Sequence, residues 1–493
     1  MLRMNPLLLT DGYKLGHKHE TPDGTTLTYS NLTPRSSRDG FSHAMWFGPQ
    51  YMMKEYLIDG FNENFFSRQV GEVMDEFDWV VRSYLGHKEF DSSHIRDLHK
   101  VGYLPVRIKA LPEGSRVPLK VPTMTIKNTR EEDFWLTNYL ETLMSSLLWM
   151  PSTSLATAHQ YRRTFDKYAK ETGEPGFVDF QGHDFSFRGM SSPESALLSG
   201  MAFLTCFKGT DCIPALPGLV RYYGASLDDS IGHSVPATEH ALACLYTALR
   251  GEYAYFEDLI TIKHPTGIVS LVADTYDFWG VLTEFLPRLK PQIMARDGGP
   301  ESVDKVVIRP DSGNPVLIIC GDPDSDIPHV RKGAIEVLWD LFGGTTNEKG
   351  FKDLDPHIGL IYGEAITPER QEEIFTRLKA KGFSSTNVVL GLGSMGFQLK
   401  TRDNLGWAIK GVFAENMNNP YNLFKDPATD NGGQKKSAKG LVRVNGTNGN
   451  YTLQDGCSWE EEEGGALREI FLDGEMTNFQ DLETIRSVVR ETL

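Results

Sequence analysis

Short, apolar, β-rich runs at 177–180, 219–223, 268–272, 306–308, 358–362 and 387–390 each end in a polar or glycine-rich loop. Amphipathic stretches at 193–207, 239–250, 276–289, 330–342 and 368–381 lie between them. Two of these open on clear start signals, Ser192 before Pro193 and Thr367 before Pro368. In both a capping hydroxyl precedes a proline, whose missing N–H has no partner to lose in the first turn of a helix. Strand, loop and helix in repetition predict a parallel sheet, because parallel neighbours need a crossover, and most simply a (β/α) barrel with its helices outside.

The flanks lack this rhythm. Residues 45–57, 70–85 and 131–148 read as helices, and 441–444 with 451–453 as a hairpin across the turn-rich 445–450. A chain of 493 residues exceeds what one small core organises. The expected division is therefore a barrel over 166–395, with 1–165 and 396–493 folding together as a second, α+β domain. The formal net charge of −16 argues against nucleic acid or an anionic membrane as the main partner. No apolar stretch is long enough to span a bilayer, and the apolar run at 7–9 is too brief for a signal peptide. Cys206, Cys212, Cys244, Cys320 and Cys457 are odd in number and form no CxxC pair, as expected of reduced thiols in a cytoplasmic protein.

In a parallel barrel the chemistry gathers on the loops that follow the strands. The first such loop reads His183-Asp184-Phe185-Ser186-Phe187-Arg188-Gly189, with aromatics, an arginine and hydroxyls ahead of a helix N-terminus that favours anions. The fourth reads Arg309-Pro310-Asp311-Ser312-Gly313-Asn314-Pro315. There an arginine can grip phosphate, an aspartate can hold ribose hydroxyls or Mg²⁺, and a glycine lets backbone approach a ligand. The fifth gives Gly363-Glu364. The sixth gives Gly391-Leu392-Gly393-Ser394-Met395-Gly396, a literal match to the dinucleotide fingerprint. That fingerprint needs a full helix before the next strand, and only about eight residues separate Gly396 from the run at 405–412. The loop suits a phosphate; a dehydrogenase does not fit.

Thr238 reads as a helix N-cap, which sets His240 in the first turn, where the helix dipole favours a neutral, nucleophilic imidazole. Glu239 beside it is a candidate proton acceptor or orienter. Arg402, Lys410, Lys425, Lys435, Lys436 and Lys439 concentrate positive charge late in an acidic chain, as a site for a polyanion such as pyrophosphate would.

Several segments in order resemble the nicotinamide phosphoribosyltransferases: Thr10-Asp11-Gly12-Tyr13-Lys14, His183-Asp184-Phe185 with Arg188-Gly189, Phe207-Lys208-Gly209-Thr210-Asp211, and Ser234-Val235-Pro236-Ala237-Thr238-Glu239-His240. The likeness continues through 270–277, 308–315, Thr401-Arg402-Asp403 and Phe424-Lys425-Asp426-Pro427, so it covers nearly the whole chain. The family's usual Gly-Asp-Gly is Gly363-Glu364-Ala365 here.

The resemblance implies a type II phosphoribosyltransferase: a (β/α) barrel plus an α+β domain, working as a homodimer with shared active sites. Nicotinamide would displace pyrophosphate from Mg²⁺-bound phosphoribosyl pyrophosphate, as in NAD salvage. Phe185 and a Tyr13 from the other chain would sandwich the pyridine ring. Asp211 would accept from the carboxamide, with Arg188 and Ser270 nearby. Arg309, Gly363, Glu364, Gly393 and Ser394 would hold the nucleotide phosphate, and Asp311 and Asp274 the ribose and, through the substrate, Mg²⁺. Arg35, Arg402, Lys410 and Lys425 would face pyrophosphate. His240 would carry phosphate when ATP hydrolysis is coupled to synthesis.

The main rival is a nicotinate phosphoribosyltransferase on the same fold. Asp211 repels a carboxylate and favours the amide by roughly 1–3 kcal/mol, the scale of a mispaired buried polar group. A non-catalytic homologue acting as a binding protein would not need His240, Arg309 and Asp311 together.

Overall fold

The computed structural model describes residues 4–86, 90–429 and 436–493. Lys435 of the late basic group falls outside them. The chain forms two compact units. One is built from Thr157–Pro217 and Ser226–Leu399, the other from Met1–Ala156, Gly218–Ala225 and Lys400–Thr492.

The unit built from the middle of the chain carries six parallel strands: β1 (Gly182–Asp184), β2 (Gly209–Thr210), β3 (Ile268–Val272), β4 (Lys305–Arg309), β5 (Ile358–Tyr362) and β6 (Val388–Leu392). Their order across the sheet is β2-β1-β6-β5-β4-β3. All five residues of β5 are buried, as expected where both faces of a parallel sheet are covered. Residues 233–237 join the two edges. Gly209 on β2 bridges His233, and Ser270 on β3 bridges Ala237, both in the parallel sense. The expected barrel is thus closed by a stretch that no strand pattern announces.

Ser192 caps the helix Pro193–Phe203 with a reciprocal capping box, and Thr367 caps Pro368–Ala380 through the N–H of Arg370, as the sequence predicts. Phe203 stacks on Phe207 at 4.8 Å, and Phe165 packs edge-on to Phe207 at 5.7 Å, joining helices to the barrel wall.

Two expected strands are helices. Residues 177–180 fall in the helical segments Pro175–Phe177 and Val178–Gln181, started by Pro175 and by Glu174, whose side chain accepts from Gly176 N–H. Residues 219–223 end the helix Ala215–Tyr223. Leu219, Tyr222 and Tyr223 are buried while Val220 and Arg221 are exposed, a spacing of helical and not of extended chain. The true β1 and β2 are too short and too polar to advertise themselves.

The unit built from the chain ends centres on an antiparallel sheet of seven strands, in the order Asn419–Asn422, Ala408–Asn416, Thr25–Thr33, Met124–Asn128, Val106–Ala110, Arg468–Leu472 and Glu475–Met476. Residues from both ends interleave in it, with Thr25–Thr33 paired to Ala408–Asn416. The hairpin Leu441–Asn445 with Thr452–Cys457 packs Leu441 and Val442 onto Tyr29, Val412 and Phe413. The expected helix at 45–57 starts later, at Pro49, after the short strand His43–Met45. No helix among the described residues is long and apolar enough to cross a membrane.

Candidate active site

The C-terminal ends of the barrel strands gather most of the residues singled out in the sequence. Asp184 closes β1, and its Oδ1 accepts from Ser186 N–H at 2.8 Å, which turns the chain sharply after Phe185. The ring of Phe185 lies against two glycines. A Cβ on Gly391 would approach Phe185 to 2.5 Å, and one on Gly363 would come within 2.5 Å of Asp311 and 3.7 Å of Phe185. Any side chain at 391 would displace the aromatic. Gly189 admits Ser394 in the same manner, since a Cβ there would meet its hydroxyl at 2.1 Å. Gly393 faces open space ahead of the short helix Ser394–Phe397.

Asp211, just past β2, is held by its neighbours. His183 Nε2 lies 2.9 Å from Asp211 Oδ1, and the Ser234 hydroxyl donates to the same oxygen at 2.7 Å. Burial alone would raise this carboxyl; the hydrogen bond and charge of His183, with help from Ser234 and Arg309, outweigh it and hold it below the usual range. Phe185, Arg188, Asp211, Ser234, Ser270 and Arg309 line a cavity of about 820 Å³. It extends along the barrel to Lys305, Gly359 and Asn387 near the strand starts. Glu239 also borders it.

Arg309 ends β4. Its Nη2 donates to the carbonyl of Thr238, its Nη1 lies 3.9 Å from Asp311, and its Nε is buried with no partner among the described residues. Asp274 links two other groups. Its Oδ1 is 3.0 Å from His240 Nε2 and its Oδ2 accepts from the Asp311 N–H at 2.8 Å. Burial would raise Asp274, but hydrogen bonds from Ser312, Asp311 and His240 hold it below the usual carboxylate range. Tyr362 fixes the loop by donating to the carbonyls of Ser312 (2.8 Å) and Gly313 (3.0 Å).

Thr238 is not the helix cap expected from the sequence. Glu239 occupies that place, and His240 is the first residue of the helix His240–Arg250. The Thr238 hydroxyl instead pairs with Tyr255 and accepts from Val272 N–H at 3.0 Å. The pull of those buried partners exceeds that of a helix terminus at the surface.

Glu364 is exposed on the loop after β5, and the next residue, Ala365, holds a left-handed φ of 56°. A Cβ in that region costs about 1–2 kcal/mol, part of which glycine returns through its looser unfolded chain. Ala365→Gly should therefore raise stability by about 0.5–1 kcal/mol in chemical denaturation, and an unchanged or lower midpoint would refute the strain.

The remaining residues lie in the other unit. Tyr13 is 66% exposed, its hydroxyl donating to Asp11 at 3.2 Å. Arg35 Nε donates to Gly406 O at 3.1 Å. Burial, with the neighbouring charges of Arg35, Lys425 and Lys14, lowers the Lys410 ammonium against the pull of Glu141, 3.8 Å away. Arg402 is exposed beside Asp403. Lys436 pairs with Asp426 at 3.2 Å, and Lys439 sits over the Phe424 ring. Arg35, Lys410 and Lys425 therefore share one electrostatic neighbourhood, while Lys436 and Lys439 have partners of their own. His183 and Ser234 were visible only as parts of motifs; their convergence on Asp211 required the fold.

An arginine with a buried, unpartnered Nε, an acidic loop beside it and an aromatic over two glycines thus lie together at the mouth of the parallel barrel. Residues 180–474 match the nicotinate phosphoribosyltransferase (NAPRTase) family, and the chain belongs to that family. Its fold is that of a nicotinate-nucleotide pyrophosphorylase from Pyrococcus furiosus (TM-score 0.57, 16% identity, 99% of this chain and 95% of that one). The human nicotinic acid phosphoribosyltransferase is similar too (TM-score 0.55, 15% identity, 98% and 93%). In sequence the chain is 44% identical to an Acinetobacter baylyi protein named nicotinamide phosphoribosyltransferase, over 100% of this chain and 98% of that protein. A Xanthomonas campestris pv. campestris protein of the same name is 31% identical over 98% and 97%.

Proposed function

We infer that this enzyme is a pentosyltransferase that makes nicotinamide mononucleotide. The ring nitrogen of nicotinamide attacks C1′ of phosphoribosyl pyrophosphate, the C1′–O bond breaks, and pyrophosphate leaves with the bonding pair. The observation that carries the choice of nicotinamide is Asp211, an ionised acceptor at the cavity wall whose Oδ1 is already taken by His183 and Ser234. Its remaining oxygen accepts from a carboxamide N–H and repels a carboxylate.

The geometry supports the other roles. Phe185 supports one face of the pyridine, with Arg188 and Ser270 at its edge. Arg309, with backbone at Gly363 and Gly393, Ser394 beyond and Glu364 on the rim, surrounds the nucleotide phosphate, and Asp311 takes the ribose. The two oxygens of Asp274 already have protein donors, so Asp311 is the carboxylate left to face a cation. Among the described residues no three His, Cys, Asp or Glu side chains are placed to hold a metal ion. Mg²⁺ brought by phosphoribosyl pyrophosphate would face Asp311 and would screen the charge on the leaving group.

ATP serves as a coupled co-substrate through His240, with Glu239 beside it at the helix start and Asp274 orienting the ring. In a homodimer the exposed Tyr13 of the partner subunit covers the second face of the pyridine. Arg35, Arg402, Lys410 and Lys425 supply positive charge to pyrophosphate. Five free thiols agree with a cytoplasmic setting.

Product analysis with phosphoribosyl pyrophosphate, Mg²⁺ and either pyridine, with and without ATP, tests the reading. Nicotinamide mononucleotide should form in excess and rise with ATP. Predominant formation of nicotinate mononucleotide would overturn it.

A further inference from the structure

An aspartate that selects an amide over an acid must stay ionised and must keep one oxygen aimed at the substrate. A free carboxylate does neither reliably, since it rotates about its last bond and, once protonated, donates to the very anion it should reject. Asp211 is restrained on both counts. Its backbone N–H donates to the Asp184 carbonyl at 2.9 Å. Two donors, His183 Nε2 and the Ser234 hydroxyl, converge on Oδ1, while Oδ2 has no partner among the described residues.

His183 is itself set in place. Its ring centroid lies 4.6 Å from that of Phe185, tilted by 42°. A Cβ on Gly209 would come within 2.8 Å of His183 Nδ1, so the bare backbone of β2 is what lets the imidazole lie there. Beside an ionised aspartate the proton of the imidazole belongs on Nε2.

We propose that His183 is a specificity-determining positioning residue, which clamps Asp211 by Oδ1 and leaves Oδ2 as a fixed acceptor for a carboxamide. The proposal rests on the reading of Asp211 given above and adds a cause for its selectivity. The groups facing Asp211 from the packed elements are His183 and Asp184 on β1, Arg188 on the following turn, Arg309 on β4 and Ser234 on the closing segment. His183 and Ser234 are the side chains that donate to it. Without His183, Asp211 turns and takes up a proton more readily, so nicotinamide loses its acceptor and nicotinate gains a donor.

The test compares kcat/KM for nicotinamide and nicotinate across pH in three variants of the full chain. His183→Phe keeps a ring and loses the donor. It should lower the nicotinamide-to-nicotinate ratio about tenfold, through a higher nicotinamide KM and most strongly at acid pH, as loss of a charge-assisted hydrogen bond implies. His183→Gln, whose amide nitrogen reaches the place of Nε2, should hold the ratio within about twofold of wild type. Ser234→Ala removes the second donor and should shift the ratio the same way by about threefold, which keeps the idea testable if the phenylalanine variant does not fold.

KM for phosphoribosyl pyrophosphate should stay unchanged throughout. Parallel loss with both pyridines, or glutamine behaving like phenylalanine, would reduce His183 to packing and overturn the proposal. A wild-type enzyme that does not prefer nicotinamide would instead overturn the reading of Asp211 itself.

Discussion

Subunits carrying Tyr13→Ala and subunits carrying Asp311→Ala, each crippled alone, should recover activity when mixed and allowed to exchange. Asp311 packs against Gly363 so closely that no side chain fits between them, and its N–H is fixed by Asp274. Its carboxylate, 3.9 Å from Arg309, accepts no hydrogen bond among the described residues and is placed to take ribose or substrate-bound Mg²⁺, so alanine should abolish turnover. Tyr13 is exposed within its own chain. Covering a ring in the partner's barrel would bury it, and alanine then forfeits about 0.5–1.5 kcal/mol of aromatic packing beyond the area term. In a heterodimer one site holds both lesions and the other none. Random pairing therefore makes roughly a quarter of all sites native, as two-fold symmetry requires. Activity no greater than the sum of the parents, with exchange verified by mass, would rule out the shared site.

His240→Ala should lose both ATP stimulation and phosphoryl labelling from γ-labelled ATP, while retaining the fold. Asp274 accepts from Nε2, so in the proposed coupling the lone pair of Nδ1 would attack the γ-phosphorus and expel ADP. The label should be stable to base and labile to acid, as a phosphohistidine is. The half-exposed His240 side chain is accessible to such a substrate, whereas Asp274 is buried beneath it. Asp274→Asn removes the carboxylate that stabilises the developing imidazolium and should cut ATP stimulation by about 10-fold or more, the scale of a lost charge-assisted bond. Undiminished labelling of the His240 variant would place the acceptor elsewhere.

Four barrel strands were legible because β3 to β6 are largely apolar, partly β-branched runs that lead into polar or glycine-rich loops. β1 and β2 were not. Gly182–Asp184 and Gly209–Thr210 are short, and their place comes from pairing with β6 and with 233–237, partners far off in sequence. The apolar runs beside them misled because Leu219, Tyr222 and Tyr223 satisfy a helical period within five residues, too few for periodicity alone to decide.

At the site, residue chemistry singled out Arg309 and Asp311 without the fold, since an arginine–aspartate pair at a strand end is costly to pack idly, and His240 through its place in the first turn of a helix. What stayed hidden were the pairings. His183 with Asp211 and His240 with Asp274 join residues 28 and 34 positions apart; the pairing of β1 with β2 brings the first together and closure of the barrel the second. Thr238 was misread for the same reason, its partners being Tyr255 and Val272 on neighbouring elements.

The five residues that seal the barrel have a consequence for anyone who edits it. Ser234 near one end donates to Asp211, while just past the other end the carbonyl of Thr238 holds Arg309 and His240 meets Asp274. Each edge of this stave is secured by a single bridge. Substitutions within it cannot be assigned to one property, because a shift at either end is carried to the other. With the roles proposed for Asp211, Arg309 and His240, base preference, phosphate grip and nucleotide-driven turnover should drift together there, and engineering them separately must start from the strands that face the stave and leave the stave itself untouched.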